Sequence, residues 1–329
     1  MTLGVNKMMQ CIFKALSVVV PFILKTKGKQ HLSILIYHRV LPKYDFMRPS
    51  EPTVEEFDWQ MSIISRYFNP LSLADALELM NRGELPENAI CVTFDDGYAD
   101  NESCALPILK KWHIPATVFI STGFINGGRM WNDTVVETLK GIDKHLDLQK
   151  LGLGEYTLHD QESKKIAAQE ILTEIKHREI ESRAEAVEFI ESLAEHTLPR
   201  DLMLTDQQIK NLSDAGVEIG GHTVSHPILA KLDNAQAKQE IFDGKKCLEN
   251  IINKKIKYFA YPNGKLGHDY LENQIRIVKE AGFEAAVSTT WGVSTRNSDC
   301  YQLARFTPWD KRADKFFLRL LLNQKKVKF

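Results

Sequence analysis

No two cysteines in this chain sit at a spacing that binds metal or implies a bridge. The five, Cys11, Cys91, Cys104, Cys247 and Cys300, are scattered and odd in number, with no CxxC. That excludes a disulfide framework and a zinc–thiolate site and favours a reducing compartment. Internal repeats and low-complexity tracts are absent as well, which excludes solenoid and linker classes. The apolar run near the N-terminus is interrupted by Lys14 and Pro21 and is too short to span a bilayer. No small-residue cleavage site follows it, so it does not read as a cleaved export signal. An uncleaved one is the alternative. What remains is a chain of 329 residues, 43% hydrophobic and 26% charged, enough for one α/β barrel or two smaller domains.

Net charge is also nearly missing, at −1, but its distribution is uneven. Residues 1–29 carry five lysines and no acid, and residues 311–329 carry +6, which leaves the body at −12. Both basic ends are apolar. Met8, Met9, Ile12, Phe13, Leu16, Val19, Val20, Ile23 and Leu24 recur at helical spacing, and "KFFLRLLLNQKKVKF" joins a Phe/Leu cluster to Lys325, Lys326 and Lys328. The two ends read as an interfacial membrane anchor, with helices that simply cover the fold as the alternative. Basic segments that are terminal and apolar, without a motif in the body, argue against a nucleic-acid partner.

Along the body, strand and helix patterns alternate. His31–Tyr37 reads as a buried strand, and Thr53 with Glu56 forms a capping box before a helix containing Phe57, Met61, Ile64 and Phe68. A second helix ends at Gly83. The strand in "AICVTFDDGYADN" follows, then a helix to about Trp112 and the strand Ala116–Thr122. Between Thr122 and Thr205 the chain turns charged, helical and poor in strand formers, which predicts a helical insertion over about 127–204 that covers the substrate side. Alternation resumes with a helix over Asp206–Asp214, the strand "VEIGGH", a helix from about Asn234, the strand "KYFAYP", a helix over Asp269–Ala281, and the strands "EAAVST" and "YQLARF". About seven short strands alternating with helices predict a parallel sheet closed into a barrel spanning 30–310.

Chemistry in such barrels sits at the carboxyl ends of strands. Asp95 and Asp96 leave the strand of "TFDDG" together, and adjacent anions repel unless a cation lies between them or one is protonated. Turn and cap chemistry is the plainer reading of a lone Asp-Asp-Gly. A second signal shifts the balance. In "GGHTVSHPIL", His222 and His226 lie four apart just past a strand, and on one helical turn such a pair shares a face and can meet one metal ion. Two imidazoles and one aspartate make a facial site with open positions, which suits zinc. The other aspartate is then free to act as a base.

"TFDDG" at Thr93–Gly97 followed by "HTVSH" at His222–His226 resembles the first two motifs of the polysaccharide deacetylase family, the NodB-like carbohydrate esterases. The resemblance covers roughly Leu32 to Thr307, less the insertion. It implies a distorted (β/α) barrel, a divalent metal, and hydrolysis of the N-acetyl group of an amino sugar in a polysaccharide or glycolipid. It assigns Asp96, His222 and His226 as metal ligands and Asp95 as general base. The metal would be zinc, with cobalt, nickel or iron as alternatives. "FAYPNG" matches the third motif, with Tyr261, Pro262 and Asn263 on the oxyanion side and the backbone donor placed at Asn263.

Two departures from the family pattern matter. Where an arginine commonly precedes the third-motif proline, this chain has Ala260. Arg305 in "LARFTP" is the candidate to orient the catalytic aspartate instead. The family's C-terminal histidine has no counterpart in "YQLARFTPW". His38 in "IYHRV", similar to a strand end in deacetylases of biofilm poly-N-acetylglucosamine, is the candidate general acid. Trp131, Trp291 and Trp309 could stack on sugar rings or serve as core and rim, and Trp131, following "NGG" in a loop, is preferred. A sugar O-acetyl esterase and a catalytically silent glycan-binding protein are the competing readings. The basic ends suggest a lipid-linked substrate met at the cytoplasmic face of a bacterial membrane.

Overall fold

Runs of β-branched and aromatic residues between turn formers become short parallel strands. The computed structural model describes residues 12–16, 18–19, 30–143 and 145–325. Its strands are β1 (Leu32–Tyr37), β2 (Asn69–Pro70), β3 (Ala89–Phe94), β4 (Ala116–Ile120), β5 (His145–Asp147), β6 (Glu155–Thr157), β7 (Glu218–Gly221), β8 (Tyr258–Ala260) and β9 (Ala285–Val287). The main sheet runs β1-β3-β4-β7-β8-β9, with β2 paired to the start of β3. β1 and β3 are fully buried and stay in register from Leu32↔Ala89 to Tyr37↔Phe94. Two-sided burial explains why these strands read as continuous apolar runs rather than alternating ones.

The expected last strand "YQLARF" is instead an irregular connector that joins the two ends of the sheet. Leu303 exchanges backbone bonds with β9 through Ala286 O at 3.0 Å and Ser288 N at 2.9 Å. Phe306 does the same with β1, through Ile34 O at 3.0 Å and Ile36 N at 2.9 Å. Between them the chain rotates, since the Arg305 amide donates to Thr290 O and that of Ala304 to the Ser294 hydroxyl. Diverting those amides to the 288–294 loop leaves no continuous ladder, and it turns Arg305 into the interior, fully buried.

Helices cover the sheet. The capping box at Thr53 forms as its residues specify, with the Thr53 hydroxyl accepting from Glu56 N and Glu56 accepting from Thr53 N. The helix expected from Asp269 begins at Glu272, because the Asp269 carboxylate is used to accept from the Lys265 amide at 3.0 Å. The insertion holds helices Trp131–Gly141, Gln161–Lys176 and Ile180–Ser192 and, against expectation, an antiparallel pair β5–β6. Val135, Leu139, Leu146, Ile171, Ile175 and Ile190 give it a core of its own, joined by Met47.

The described part of the C-terminal tail packs one face on the core and leaves Leu318 and Leu322 exposed. In the helix Ala313–Asn323, Phe316, Phe317, Leu320 and Leu321 are buried. Phe316 packs edge-on to Trp59 at 5.4 Å, and Phe317 stacks on Phe13 at 4.6 Å. Each such ring removed from water contributes about 1.5–3 kcal/mol, so this face is spent on the core. Most of the N-terminal segment 1–29 lies outside the described residues. No described helix is long and apolar enough to cross a membrane.

Candidate active site

The repulsion between the adjacent aspartates is relieved by a backbone that separates them. β3 ends at Phe94, the Asp95 amide donates to Tyr37 O at 2.9 Å, and Asp96 and Gly97 then take left-handed φ of +74° and +87°. At Gly97 a Cβ would lie 2.8 Å from Ile120 Cγ2, so glycine is needed for closeness as well as φ. The two carboxylates consequently meet different partners.

Asp95 meets Arg305. The Nη1 and Nη2 atoms donate to Oδ1 and Oδ2 at 2.8 Å each, while Nη1 also reaches Thr93 Oγ1 and Nε reaches Ser288 O, both at 3.0 Å. Burial pushes the Asp95 carboxyl up, but the Arg305 guanidinium and, beyond it, His222 and His38 reverse this and hold it below the ordinary carboxylate range. Each carboxylate oxygen keeps a lone pair facing away from the guanidinium.

Asp96 meets two imidazoles. Its Oδ1 lies 3.5 Å from Nε2 of His222 and 3.5 Å from Nε2 of His226, and one ligand atom from each of the three residues falls within 4.8 Å of the others. The Nδ1 of His222 lies 2.7 Å from Ala260 O. A carbonyl only accepts, so Nδ1 carries the proton and Nε2 presents a lone pair. Burial, against the pull of Asp96, pushes His226 down to about 4, which keeps its ring neutral, the form that binds metal. Burial likewise raises Asp96, but the three imidazoles around it, His222, His226 and His38, carry it well below its usual value. Asp96 Oδ1 is nonetheless buried without a hydrogen-bond partner. An orphaned carboxylate oxygen facing two imidazole nitrogens is the donor set of a divalent cation, and these residues fit one.

The two histidines are not on a helical turn, as their spacing had suggested. Thr223 and His226 both have left-handed φ, +68° and +52°, and the segment is a tight loop. Glu240, from the helix Asn234–Ile252, accepts from Val224 N at 2.8 Å, Ser225 N at 2.9 Å and Ser225 Oγ at 2.7 Å. The Thr223 hydroxyl accepts from His226 N at 3.1 Å. Gly244 lets that helix approach, since a Cβ there would lie 2.9 Å from Thr223 O.

Asp95, Asp96, His222, His226, His38, Arg305, Asn263 and Trp131 all line one cleft of about 860 Å³, as do Trp291 and Trp309. His38 is half-buried at the end of β1. Burial pushes its ring down, but Asp96, Glu51 and Asp95 outweigh this and raise it above its ordinary value. Asn263 sits at φ +60° with its carbonyl accepting from Thr289 Oγ1 at 2.6 Å. Tyr261 and Pro262 do not line the cleft. The Tyr261 ring is fully buried and stacks on Tyr270 at 3.8 Å, because the strand's alternation sends it to the core side, and Pro262 serves a turn by accepting from Gly264 N. Trp131 begins a helix rather than standing in a loop.

Several cleft residues carried no legible signal. Arg48 is held by Asp133 and Glu137 at 2.6 Å and by Asp45 at 2.9 Å, tying the 41–53 loop to the insertion. Asp100 accepts from Arg39 Nε at 2.8 Å and Val40 N at 3.1 Å, and Asn101 Nδ2 donates to His38 O at 2.9 Å. The end of "FDDGYADN" thus fixes the backbone of "YHRV". That both stretches exit strands of one sheet was the available clue.

Comparison with known proteins adds a family to this geometry of an arginine-clamped aspartate beside a two-histidine, one-aspartate cluster. The polysaccharide deacetylase family model matches residues 82–286. The chain belongs to the polysaccharide deacetylase family. It is accordingly a carbohydrate deacetylase, a hydrolase acting on amide bonds. It is 22% identical over 283 residues to YxkH of Bacillus subtilis (strain 168), covering 86% of this chain and 73% of that protein. With a poly-β-1,6-N-acetyl-D-glucosamine N-deacetylase of Staphylococcus aureus (strain MRSA252) it shares 29% identity over 236 residues, 71% of this chain and 59% of that one. The structure of Streptococcus pyogenes deacetylase PplD in complex with acetate aligns with a TM-score of 0.59 at 20% identity, over 88% of this chain and 98% of that one. At that identity the likeness speaks to the fold, a parallel sheet curled into the family's distorted barrel.

Proposed function

We propose that this deacetylase removes the N-acetyl group of an N-acetylhexosamine within a glycan or glycolipid, releasing acetate, and that it uses a divalent metal, with zinc favoured and cobalt, nickel or iron as alternatives. The observation that carries the reading is the orphaned Asp96 Oδ1 facing both imidazole Nε2 atoms beside an arginine-clamped Asp95. Asp96, His222 and His226 would hold the ion. When bound, it supplies Lewis acidity that polarises the acetyl carbonyl and acidifies water.

The chain's own groups do the rest. Asp95 takes the proton of the attacking water, and Arg305 keeps that carboxylate ionised and fixes its plane, so the free lone pairs face the cleft. The Asn263 N–H donates to the oxyanion as the carbonyl becomes tetrahedral. His38, whose pKa the carboxylates of Asp96, Glu51 and Asp95 raise, donates to the nitrogen of the departing amine. Trp131 offers an aromatic face to a pyranose ring. Acetate release from N-acetylglucosamine oligomers by the wild type, abolished by Asp95→Asn, tests the reading, and equal turnover of a matched O-acetyl ester but not the amide would overturn it.

We also propose peripheral attachment at the cytoplasmic face of a membrane. The lysines of residues 1–29 support it, as do Ile12, Val18 and Val19, which are exposed at 45%, 63% and 48%. Because Phe13 is a core residue, truncation would confuse anchoring with stability. Val18→Glu with Val19→Glu is the cleaner probe, and unchanged partitioning onto anionic vesicles would rule the attachment out.

A further inference from the structure

Beside the cleft, on the other side of Trp131, lies a second pocket of about 440 Å³. It is walled by the helix Ile180–Ser192 and the 124–131 loop, and Arg129, Arg183, Arg200, Glu188 and Glu191 line it. Its arginines are in different circumstances. Arg129 is satisfied, by Glu191 at 2.5 Å, Pro199 O at 2.9 Å and Thr134 Oγ1 at 3.0 Å. Arg183 is only 7% exposed, and its guanidinium lies 5.1 Å over the Trp131 ring. No ion pair to a carboxylate forms there among the described residues. Burial pushes the Arg183 guanidinium down, with Glu240 the acid that opposes this. Glu240, however, already spends its oxygens on the 224–225 loop. Arg200 stands exposed at the rim.

A guanidinium at the pocket wall without an anion leaves its charge uncompensated, and its place over an indole leaves its in-plane donors unused. Those donors suit the bidentate geometry of a phosphate or carboxylate. Because Trp131 lines both the cleft and this pocket, a group held by Arg183 abuts whatever sugar occupies the cleft.

We propose that this pocket is a subsite for an oxyanion, phosphate or carboxylate, borne by the glycan next to the N-acetylhexosamine, with Arg183 as its main contact and Arg200 at the rim supplying field. The subsite rests on the deacetylase reading for the identity of its neighbour. It makes the substrate an anionic glycan or a sugar phosphate rather than a neutral polymer.

The test is binding of inorganic phosphate and of glucuronic acid to the full chain, with neutral N-acetylglucosamine as reference, in wild type, Arg183→Gln, Arg183→Lys and His222→Ala. At least one anion is expected to bind, to lose about tenfold in affinity with Arg183→Gln, to regain part of it with Arg183→Lys, and to be unaffected by His222→Ala. Binding of phosphate alone selects a sugar phosphate, and of glucuronate alone a uronic acid. No binding to wild type, or unchanged affinity in Arg183→Gln, overturns the proposal. So does loss confined to His222→Ala, which would place the anion at the histidine cluster. Should Arg183→Gln fail to fold, Arg200→Gln at the exposed rim carries the same comparison, with an expected loss of about threefold. Since the readout is probe binding, a chain releasing no acetate would still report on the subsite.

Discussion

Arg305 and Asp95, 210 residues apart, form a two-pronged ion pair with both contacts at 2.8 Å and no solvent exposure of the arginine. The pair does two jobs. It joins the closing connector to the end of β3, and it holds the proposed base ionised inside the protein. Arg305→Lys keeps the charge and loses the fork. Removing one partner of a buried pair costs about 3–5 kcal/mol, so Arg305→Met should lower Tm sharply. Arg305→Lys should fold and lose about 10²-fold or more in kcat with little change in KM, a split that separates positioning from binding. Steady-state kinetics alongside thermal melts check both.

Glu240 touches no proposed ligand, yet its carboxylate holds the loop that carries His226. Glu240→Ala should raise the metal Kd about 10–100-fold, the usual effect of losing an outer-shell partner, while leaving the fold intact. Competition with a chromophoric chelator measures it.

If the tail Ala313–Asn323 is core, as its packing says, Phe317→Ala should destabilise by about 3–5 kcal/mol. An unchanged denaturation midpoint would return that helix to the surface.

Glu218 accepts from Leu73 N at 2.9 Å, Ala74 N at 3.1 Å and Thr117 Oγ1 at 2.7 Å, but burial outweighs these and raises its pKa above the ordinary 4.5. A raised folded-state value means its contribution is fully present below 4.5 and declines as pH rises through the folded value. Unfolding free energies from about pH 4 upward should show that decline in wild type and a flatter profile in Glu218→Gln.

Much of this was legible because it is local. Asp95, Asp96, His222 and His226 each follow a strand pattern by one to five residues, and strand ends converge in a barrel. Arg305 is legible as the cation that replaces the one missing from "FAYPNG". The errors share a cause too. Spacing suggested a helix for His222–His226 where left-handed backbone and Glu240 make a loop. Alternation in "YQLARF" suggested a strand where side hydrogen bonds break the ladder. Tyr261 was read with its motif though the pleat sends its ring to the core. The Arg48 cluster and the stacking of Arg183 on Trp131 depend on contacts across the insertion, for which one sequence offers no pattern.

The central claim is a division of labour between two adjacent aspartates, and metal content measured with acetate release tests it most directly. Wild type and Asp95→Asn should both carry about one divalent ion per chain, His222→Ala should carry none, and only wild type should release acetate at full rate, with Asp95→Asn slower by about 10²–10⁴-fold. Retention of metal by His222→Ala, or full activity in Asp95→Asn, would contradict the account.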